Sequence, residues 1–128
     1  MSGCPFCNLE TDQCCLVTPA LRAFRDSFPV SKGHALIVPR RHVASLFDLD
    51  EAELAAIWSA VSAVRQQLQE EFKPDGFNIG VNDGTAAGQT VSHAHLHVIP
   101  RYAGDVPDPR GGVRWIIPSK ADYWSESK

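Results

Sequence analysis

The sequence contains no apolar run of about 18 residues, so it offers no segment that would cross a membrane as a helix. Its first ten residues, MSGCPFCNLE, lack the basic and apolar regions of a signal peptide. We therefore expect a cytoplasmic protein. Disulfides are uncommon in that compartment, so the four cysteines are interpreted as free thiols or metal ligands.

A surplus of basic residues is also missing. The chain has 12 lysines and arginines against 15 acidic residues, a net charge of −3. Proteins that bind duplex nucleic acid usually carry a basic surplus that neutralises phosphates, so we expect no nucleic-acid partner. We find no internal repeat. A length of 128 residues with 44% hydrophobic residues is typical of one globular domain, which we assign to residues 1–128.

The pattern of apolar residues predicts five strands and one long helix, in the order β-β-β-α-β-β. The helix is predicted from about Glu51 to Phe72, with an apolar stripe at positions spaced three and four apart: Leu54, Ile57, Val61, Val64 and Leu68. The predicted strands are Cys14–Val17, Leu21–Phe24, His34–Pro39, Gly76–Asn82 and the stretch leading to Pro100. This order predicts an α+β fold, an antiparallel meander sheet with the helix on one face. Residues 102–128, rich in proline and glycine, are predicted to form an extended C-terminal tail.

The last predicted strand carries three of the five histidines, in QTVSHAHLHVIPR. Alternate residues of a strand share a face, so His93, His95 and His97 are expected to point one way. Three interpretations fit: a solvated polar face, a three-histidine zinc site with Asp83 as base, or a reactive His95 supported by its neighbours. Neutral imidazole attacks phosphorus well, because it is basic near pH 7 yet largely unprotonated.

The loop before the histidines favours the third interpretation. GTAAGQT supplies small residues whose backbone N–H groups can wrap a phosphate, and Gly84 and Gly88 permit close approach. Gln89 and Thr90 add side-chain donors. A glycine-rich loop alone is a weak signal, but one joined directly to a row of histidines is much stronger.

These residues resemble the histidine-triad (HIT) family, and in particular the bacterial members of its fragile-histidine-triad branch. The pattern His93-x-His95-x-His97 followed by two apolar residues is similar to the family motif, and "FRDSFPVSKGHALIVPRRH" and "NDGTAAGQTVSHAHLHVIPR" have counterparts in the same order. The resemblance covers roughly Cys4 to Arg101. It implies a HIT-like fold, a homodimer, no organic cofactor, and a nucleotide hydrolase or transferase that acts at an α-phosphate through a nucleotidyl-histidine intermediate.

The resemblance also implies roles for particular residues. His95 would be the nucleophile and His93 would orient it through its backbone carbonyl. The α-phosphate would be contacted by His97 and His34, and the phosphates and leaving group would be held by Asn82, Gly88, Gln89 and Thr90. The ribose would be bound by Asp26 and the base by Phe24 and Phe6.

The pair Cys4 and Cys7, in CPFC, is by itself compatible with a zinc site or a redox motif. A redox motif is expected at a helix N-terminus in a βαβ unit, which this sequence lacks. Structural zinc needs two further ligands. His42 has no other assigned role and His93 can serve as the fourth, as in similar bacterial HIT proteins. We therefore predict a structural zinc site of Cys4, Cys7, His42 and His93.

Three functions stay open at this point. The first is a HIT-type hydrolase or transferase of dinucleoside polyphosphates or other AMP conjugates. The second is a zinc-dependent hydrolase that uses His93, His95 and His97. The third is a nucleotide-binding module without catalysis. The physiological leaving group is not determined by the sequence.

Overall fold

The sheet has five antiparallel strands and carries one long helix on one face. The protein is described by a computed structural model that covers residues 3–125. The strands are β1 (Cys14–Val17), β2 (Leu21–Arg25), β3 (Ala35–Pro39), β4 (Gly76–Val81) and β5 (Leu96–Arg101), and the helices are α1 (Glu51–Phe72) and α2 (Pro118–Ala121). The predicted α+β fold class and the β-β-β-α-β-β order of the main elements are confirmed.

The spatial order of the strands is β1-β2-β3-β5-β4, so the sheet is not the simple meander that was predicted. The first three strands are consecutive neighbours, but β5 lies between β3 and the edge strand β4. The 22 residues of α1 span about 33 Å, which carries the chain across the sheet before β4 begins. Residues 82–95 then connect the edge strand β4 to β5, which lies between β3 and β4.

Both ends of helix α1 are defined by local interactions: a capping box at the N-terminus and a left-handed residue at the C-terminus. Asp50 and Glu53 form a reciprocal capping box at the N-terminus, with Glu53 N–H donating to Asp50 Oδ1 at 2.8 Å. The helix ends at Lys73, whose φ of 50° is left-handed, and Pro74 follows. Its buried residues are Ile57, Ala60, Val64 and Leu68, whereas Leu54 and Val61 of the predicted stripe are only partly buried.

The two faces of the sheet bury different sets of residues. Along β3, Ala35 and Ile37 belong to the core beneath α1, whereas Leu36 and Val38 belong to a second cluster with Phe6 and Phe24. This alternation follows from the two-residue period of a strand. The second cluster therefore lies on the face away from α1. Leu36 is the register partner of His97, so the side chain of His97 reaches that face.

The segment after Arg101, predicted to form an extended tail, includes two short helical elements. It forms a 3-10 turn over Gly112–Ile116 and then α2, with Pro118 in the first turn of that helix. Arg114 ties the two together, because its Nε donates to the carbonyl of Ala121 at 3.0 Å. The last three residues of the predicted tail lie outside the described residues.

Across residues 3–125, no helix combines the length and the hydropathy that a membrane span requires.

Candidate active site and metal cluster

His95 is held in one tautomer by its own chain. Its Nδ1 lies 2.9 Å from the carbonyl oxygen of His93, and a carbonyl only accepts, so Nδ1 carries the proton. The lone pair is therefore on Nε2. The strand was predicted to include His93, but it begins at Leu96. The residues before it are held by a hydrogen bond from the Ala94 N–H to the Val43 carbonyl, at 2.7 Å. His95 thus has the tautomer that a nucleophilic imidazole needs.

His97 lies beside His95, with ring centroids 5.2 Å apart. Burial, reinforced by the neighbouring histidines His95 and His34, lowers the pKa of His97 to about 4. The imidazole is therefore neutral at pH 7. A neutral imidazole has one donor nitrogen and one acceptor nitrogen. It can donate a hydrogen bond to a phosphate oxygen only if the protonated nitrogen faces the substrate.

His34 is buried, and both of its ring nitrogens have partners inside the protein. Its Nδ1 accepts a hydrogen bond from the backbone N–H of Val30 at 3.1 Å, and its Nε2 lies 3.0 Å from Nδ1 of His97. Burial lowers the pKa of His34, although the carboxylate of Asp26 opposes this. His34 therefore lies next to His97, with both ring nitrogens directed at other groups of the protein.

A cavity of about 610 Å³ opens over the imidazoles of His95 and His97. Its apolar wall includes Phe6 and Phe24, whose ring centroids are 5.5 Å apart. The predicted binding residues Asp26, Asn82, Gly88 and Thr90 also line this cavity. The lining thus combines aromatic rings with polar groups and the two imidazoles. This arrangement suits a nucleotide, whose base stacks and whose phosphate accepts hydrogen bonds.

Gln89 was predicted to hold phosphate, and its side-chain amide is hydrogen-bonded to backbone groups of its own loop and of Ala44. Its Nε2 donates to the carbonyls of Ala44 at 2.8 Å and Val91 at 2.9 Å, and its Oε1 accepts from the Gly84 N–H at 2.9 Å. Backbone N–H groups of the loop also have partners within the protein. The N–H of Gly88, for example, donates to the Thr85 carbonyl at 3.0 Å. The predicted backbone wrap around phosphate is therefore reduced, because a 3-10 turn takes up these donors.

The four predicted zinc ligands come together. One ligand atom from each of Cys4, Cys7, His42 and His93 lies within 4.8 Å of the others. Sulfur-to-nitrogen distances are 3.4 Å and 3.5 Å from the two cysteines to His93 Nδ1, and 3.1 Å from Cys7 to His42 Nδ1. Tetrahedral zinc with ordinary bond lengths would set such pairs about 3.5 Å apart. The donor set and its spacing therefore fit zinc.

The buried ring of His93 is oriented for that role. Its Nε2 donates to the carbonyl of Pro39 at 2.8 Å, which leaves the lone pair on Nδ1, facing the two thiols. Burial lowers the pKa of His93, so it stays neutral and able to coordinate. Among the described residues, His93, His95 and His97 do not form a convergent metal set. This disfavours zinc chemistry on the histidine row.

Sequence reasoning missed several groups that support the site. Arg22 donates to the carbonyls of Phe6 and Leu9, both at 3.2 Å, and so fastens the N-terminal turn to β2. The Val30 amide and the Pro39 carbonyl set the tautomers of His34 and His93. The Val30 amide and the Pro39 carbonyl are backbone groups, so the residue type at these positions does not indicate their role.

The HIT domain family matches residues 10–104, and the chain belongs to this family. Among curated relatives, an asymmetrical bis(5'-nucleosyl)-tetraphosphatase of Schizosaccharomyces pombe is 42% identical over 65% of this chain and 46% of that protein. The adenylylsulfatase HINT3 of Arabidopsis thaliana is 33% identical over 81% of this chain and 55% of that protein. The chain thus spans about half the length of these curated relatives.

Solved structures show the same fold. A HIT family protein of Bacillus anthracis has a TM-score of 0.73 and 38% identity, over 80% of this chain and 76% of that one. A zinc-bound histidine triad family protein of Mycobacterium smegmatis has a TM-score of 0.73 and 29% identity, over 92% and 93% of the two chains. These matches confirm the resemblance that the histidine motif indicated.

Proposed function

We propose that this chain is a nucleotide hydrolase or transferase that acts on an α-phosphate through a covalent nucleotidyl-His95 intermediate. The observation that carries the proposal is the hydrogen bond from His95 Nδ1 to the His93 carbonyl. It leaves the lone pair on Nε2 of a ring that lines the cavity. The names of the tetraphosphatase and adenylylsulfatase relatives support nucleotide conjugates as the substrate class.

The reaction has two displacements. In the first, the Nε2 lone pair forms a bond to the α-phosphorus while the bond to the leaving group breaks, and the leaving group takes that electron pair. In the second, water or another acceptor attacks phosphorus and releases its proton to solvent, the phosphorus–nitrogen bond breaks, and its electrons return to Nε2. We propose that His97, Asn82 and Thr90 contact the phosphate oxygens, that Asp26 binds the ribose, and that Phe6 and Phe24 hold the base, since all six line the cavity.

The test is chemical trapping of the intermediate. Protein mixed with α-phosphate-labelled diadenosine tetraphosphate and quenched rapidly should carry acid-labile, base-stable label on His95, located by mass spectrometry. The variant His95→Asn should lose the label yet still bind AMP in calorimetry, which separates chemistry from binding. Turnover without any label at His95 would overturn the covalent mechanism, and AMP binding without turnover on any AMP conjugate would favour a non-catalytic nucleotide-binding module.

We also propose that Cys4, Cys7, His42 and His93 hold a structural zinc ion, a role supported by the convergence of these residues and by the zinc-bound relative. Elemental analysis should find one zinc per chain in the wild-type protein. Cys7→Ser should lose it, whereas Cys14→Ser, a cysteine outside the cluster, should retain it. Retention of zinc in Cys7→Ser would contradict the assignment. Thiolate ligands persist in a reducing compartment, which supports the cytoplasm as the site of action.

We further propose a homodimer. Strand β4 pairs with β5 on one side, and within residues 3–125 no strand pairs its other side. Trp58 is 52% exposed on α1, and Arg65, two turns further along that face, lies 4.8 Å over the ring of Phe77 on β4. The exposed helix face and the sheet edge are therefore contiguous. Sedimentation equilibrium should give twice the chain mass, and Trp58→Glu should shift it toward the monomer.

A further inference from the structure

The Val30 amide determines which nitrogen of His34 carries the proton. A backbone N–H can only donate, and that of Val30 donates to His34 Nδ1 at 3.1 Å. Nδ1 must therefore present its lone pair. Burial lowers the pKa of His34, so the ring is neutral at pH 7 and its single proton is on Nε2.

The proton on His34 Nε2 has one acceptor at hydrogen-bond distance. His97 Nδ1 lies 3.0 Å away, whereas the nearest oxygen of Asp26 lies 3.6 Å away, beyond a good hydrogen bond. His34 therefore donates to His97 Nδ1. Because His97 is also neutral, its own proton must be on Nε2. The Asp26 carboxylate reinforces this state, because its charge favours a proton on the nitrogen that faces it.

We propose that Val30 and His34 form a tautomer relay that fixes His97 as an Nε2–H donor, with His34 acting as a positioning residue. Its purpose rests on the proposed function: the donor would meet an anionic oxygen of the α-phosphate. The neighbouring His95 has the opposite tautomer, with Nδ1 protonated and the lone pair on Nε2. Two adjacent imidazoles in one cavity are thus specialised, one to attack and one to donate.

The loop that presents the Val30 amide is held in place without substrate. The Asp26 N–H donates to the His34 carbonyl at 3.0 Å, and the His34 N–H donates to the Ser31 carbonyl at 3.1 Å. The Ser31 hydroxyl donates to the Pro100 carbonyl at 2.6 Å, which ties the loop to β5. The donor is therefore preorganised, so fixing the tautomer costs nothing when substrate arrives.

The same geometry argues against a cation at this point. One ligand atom each of Asp26, His34 and His97 lies within 4.8 Å of the others, a spacing compatible with a metal ion. Coordination by His34 Nε2 would require its lone pair and would move the proton to Nδ1. That proton would then face the N–H of Val30, donor against donor. The relay and a metal site are mutually exclusive here.

The wild-type protein provides the first test. Two-bond proton–nitrogen correlation spectra of the ligand-free, zinc-replete protein at pH 7 should show His97 with Nε2 protonated and Nδ1 unprotonated, and His95 with the reverse. A protonated Nδ1 on His97, or a mixture of its tautomers, would overturn the proposal. This readout does not depend on turnover, so it stands or falls separately from trapping at His95.

Paired variants test the role of each donor. His34→Gln keeps a side-chain amide that can replace Nε2–H, and it should retain the His97 tautomer and most of kcat. His34→Leu should mix the tautomers and lower kcat by about 10- to 100-fold with little change in KM. Val30→Pro removes the amide donor and should act in the same direction as His34→Leu, whereas Val30→Ala should match wild type. An unchanged His97 tautomer in both His34→Leu and Val30→Pro would refute the relay.

Discussion

The ring of Phe6 packs against the imidazole of His95, with centroids 5.1 Å apart and planes at 68°. Phe6 stands between Cys4 and Cys7 in the chain, so the segment that carries two of the proposed metal ligands also forms a wall of the cavity. The same ring lies 5.9 Å from His93 and 5.5 Å from Phe24. The N-terminal turn is therefore part of the candidate active site, because its Phe6 packs against the imidazole that carries the proposed reacting nitrogen.

Replacement of Phe6 should weaken substrate binding more than chemistry. In Phe6→Ala, the loss of an aromatic wall should raise the dissociation constant of AMP about 10-fold, and Phe6→Leu should lie between Ala and wild type. Calorimetric titration measures this, with thermal unfolding as a check on folding. Phe47→Ala, a phenylalanine that is 70% exposed, is the matched control. Equal AMP affinity in Phe6→Ala and wild type would show that Phe6 does not contact the nucleotide.

Gly33 should be important for stability for two reasons. Its backbone angle favours glycine, and a neighbouring aromatic ring leaves no room for a side chain. Its φ is +91°, and an added Cβ would meet the ring of Phe72 at 2.7 Å. Gly33→Ala should therefore lower the free energy of unfolding by about 2–3 kcal/mol. Gly104, with φ of +84° and open space around it, isolates the backbone effect.

Urea unfolding of both glycine variants measures the difference. Gly104→Ala should cost about 1 kcal/mol, since only the left-handed conformation is penalised. If both variants lose the same stability, the contact with Phe72 contributes nothing, and the loop that carries His34 is less constrained than the structure indicates.

The lowered pKa of His97 should make the protein less stable in acid. A folded-state pKa of about 4, below the ordinary value of 6.5, means that the unfolded chain binds more protons between these values. The contribution of His97 to the free energy of unfolding is therefore complete above about pH 6.5 and is lost as the pH decreases toward 4. The loss due to His97 should be about 3 kcal/mol. His34 and His93, whose pKa values are also lowered, act in the same direction.

The share of His97 is measured by difference. Urea unfolding of wild type and His97→Gln at several pH values between 7 and 4.5 should give a shallower pH dependence for the variant. Because the cysteine–histidine cluster is the same in both proteins, protonation of its side chains cancels in the comparison. Parallel curves would show that the His97 pKa is not lowered in the folded state.

The resemblance to the HIT family, together with the spacing of the histidines, indicated most of the side chains that line the cavity and all four members of the cysteine–histidine cluster. The alternation of His95 and His97 with Leu96 and Val98 indicated opposite faces, and the structure confirms that Leu96 and Val98 are buried beneath α1. The place of β5 between β3 and β4 was not predictable in this way. Both a meander and the observed order bury the same apolar residues, and the length of α1 and the register with β3 decide between them.

The roles of Gln89 and His34 show a different limit. A glutamine next to a glycine-rich loop has the same appearance in a sequence whether its amide faces a ligand or backbone groups of the protein. A histidine before a strand likewise gives no sign that a backbone amide four residues earlier will fix its tautomer. Hydrogen bonds to backbone depend on loop conformation, which composition does not specify.

Gln89 provides a test of how the loop supports the site. Gln89→Glu keeps the acceptor for the Gly84 N–H but replaces two donors with a carboxylate oxygen facing the carbonyls of Ala44 and Val91. This unsatisfied charge should cost about 2 kcal/mol and loosen the loop. Since Gly88 and Thr90 on either side of it line the cavity, kcat/KM should fall at least 10-fold.

Hydrogen exchange at the loop amides distinguishes loosening from a direct loss of substrate contact. In Gln89→Glu, the amides of Gly84 and Gly88 should exchange faster than in wild type, whereas Gln66→Glu, the same charge change on the exposed side of α1, should leave them unchanged. If kcat/KM falls while the exchange rates stay constant, Gln89 contacts substrate directly. In that case its hydrogen bonds to the loop must break when the nucleotide binds.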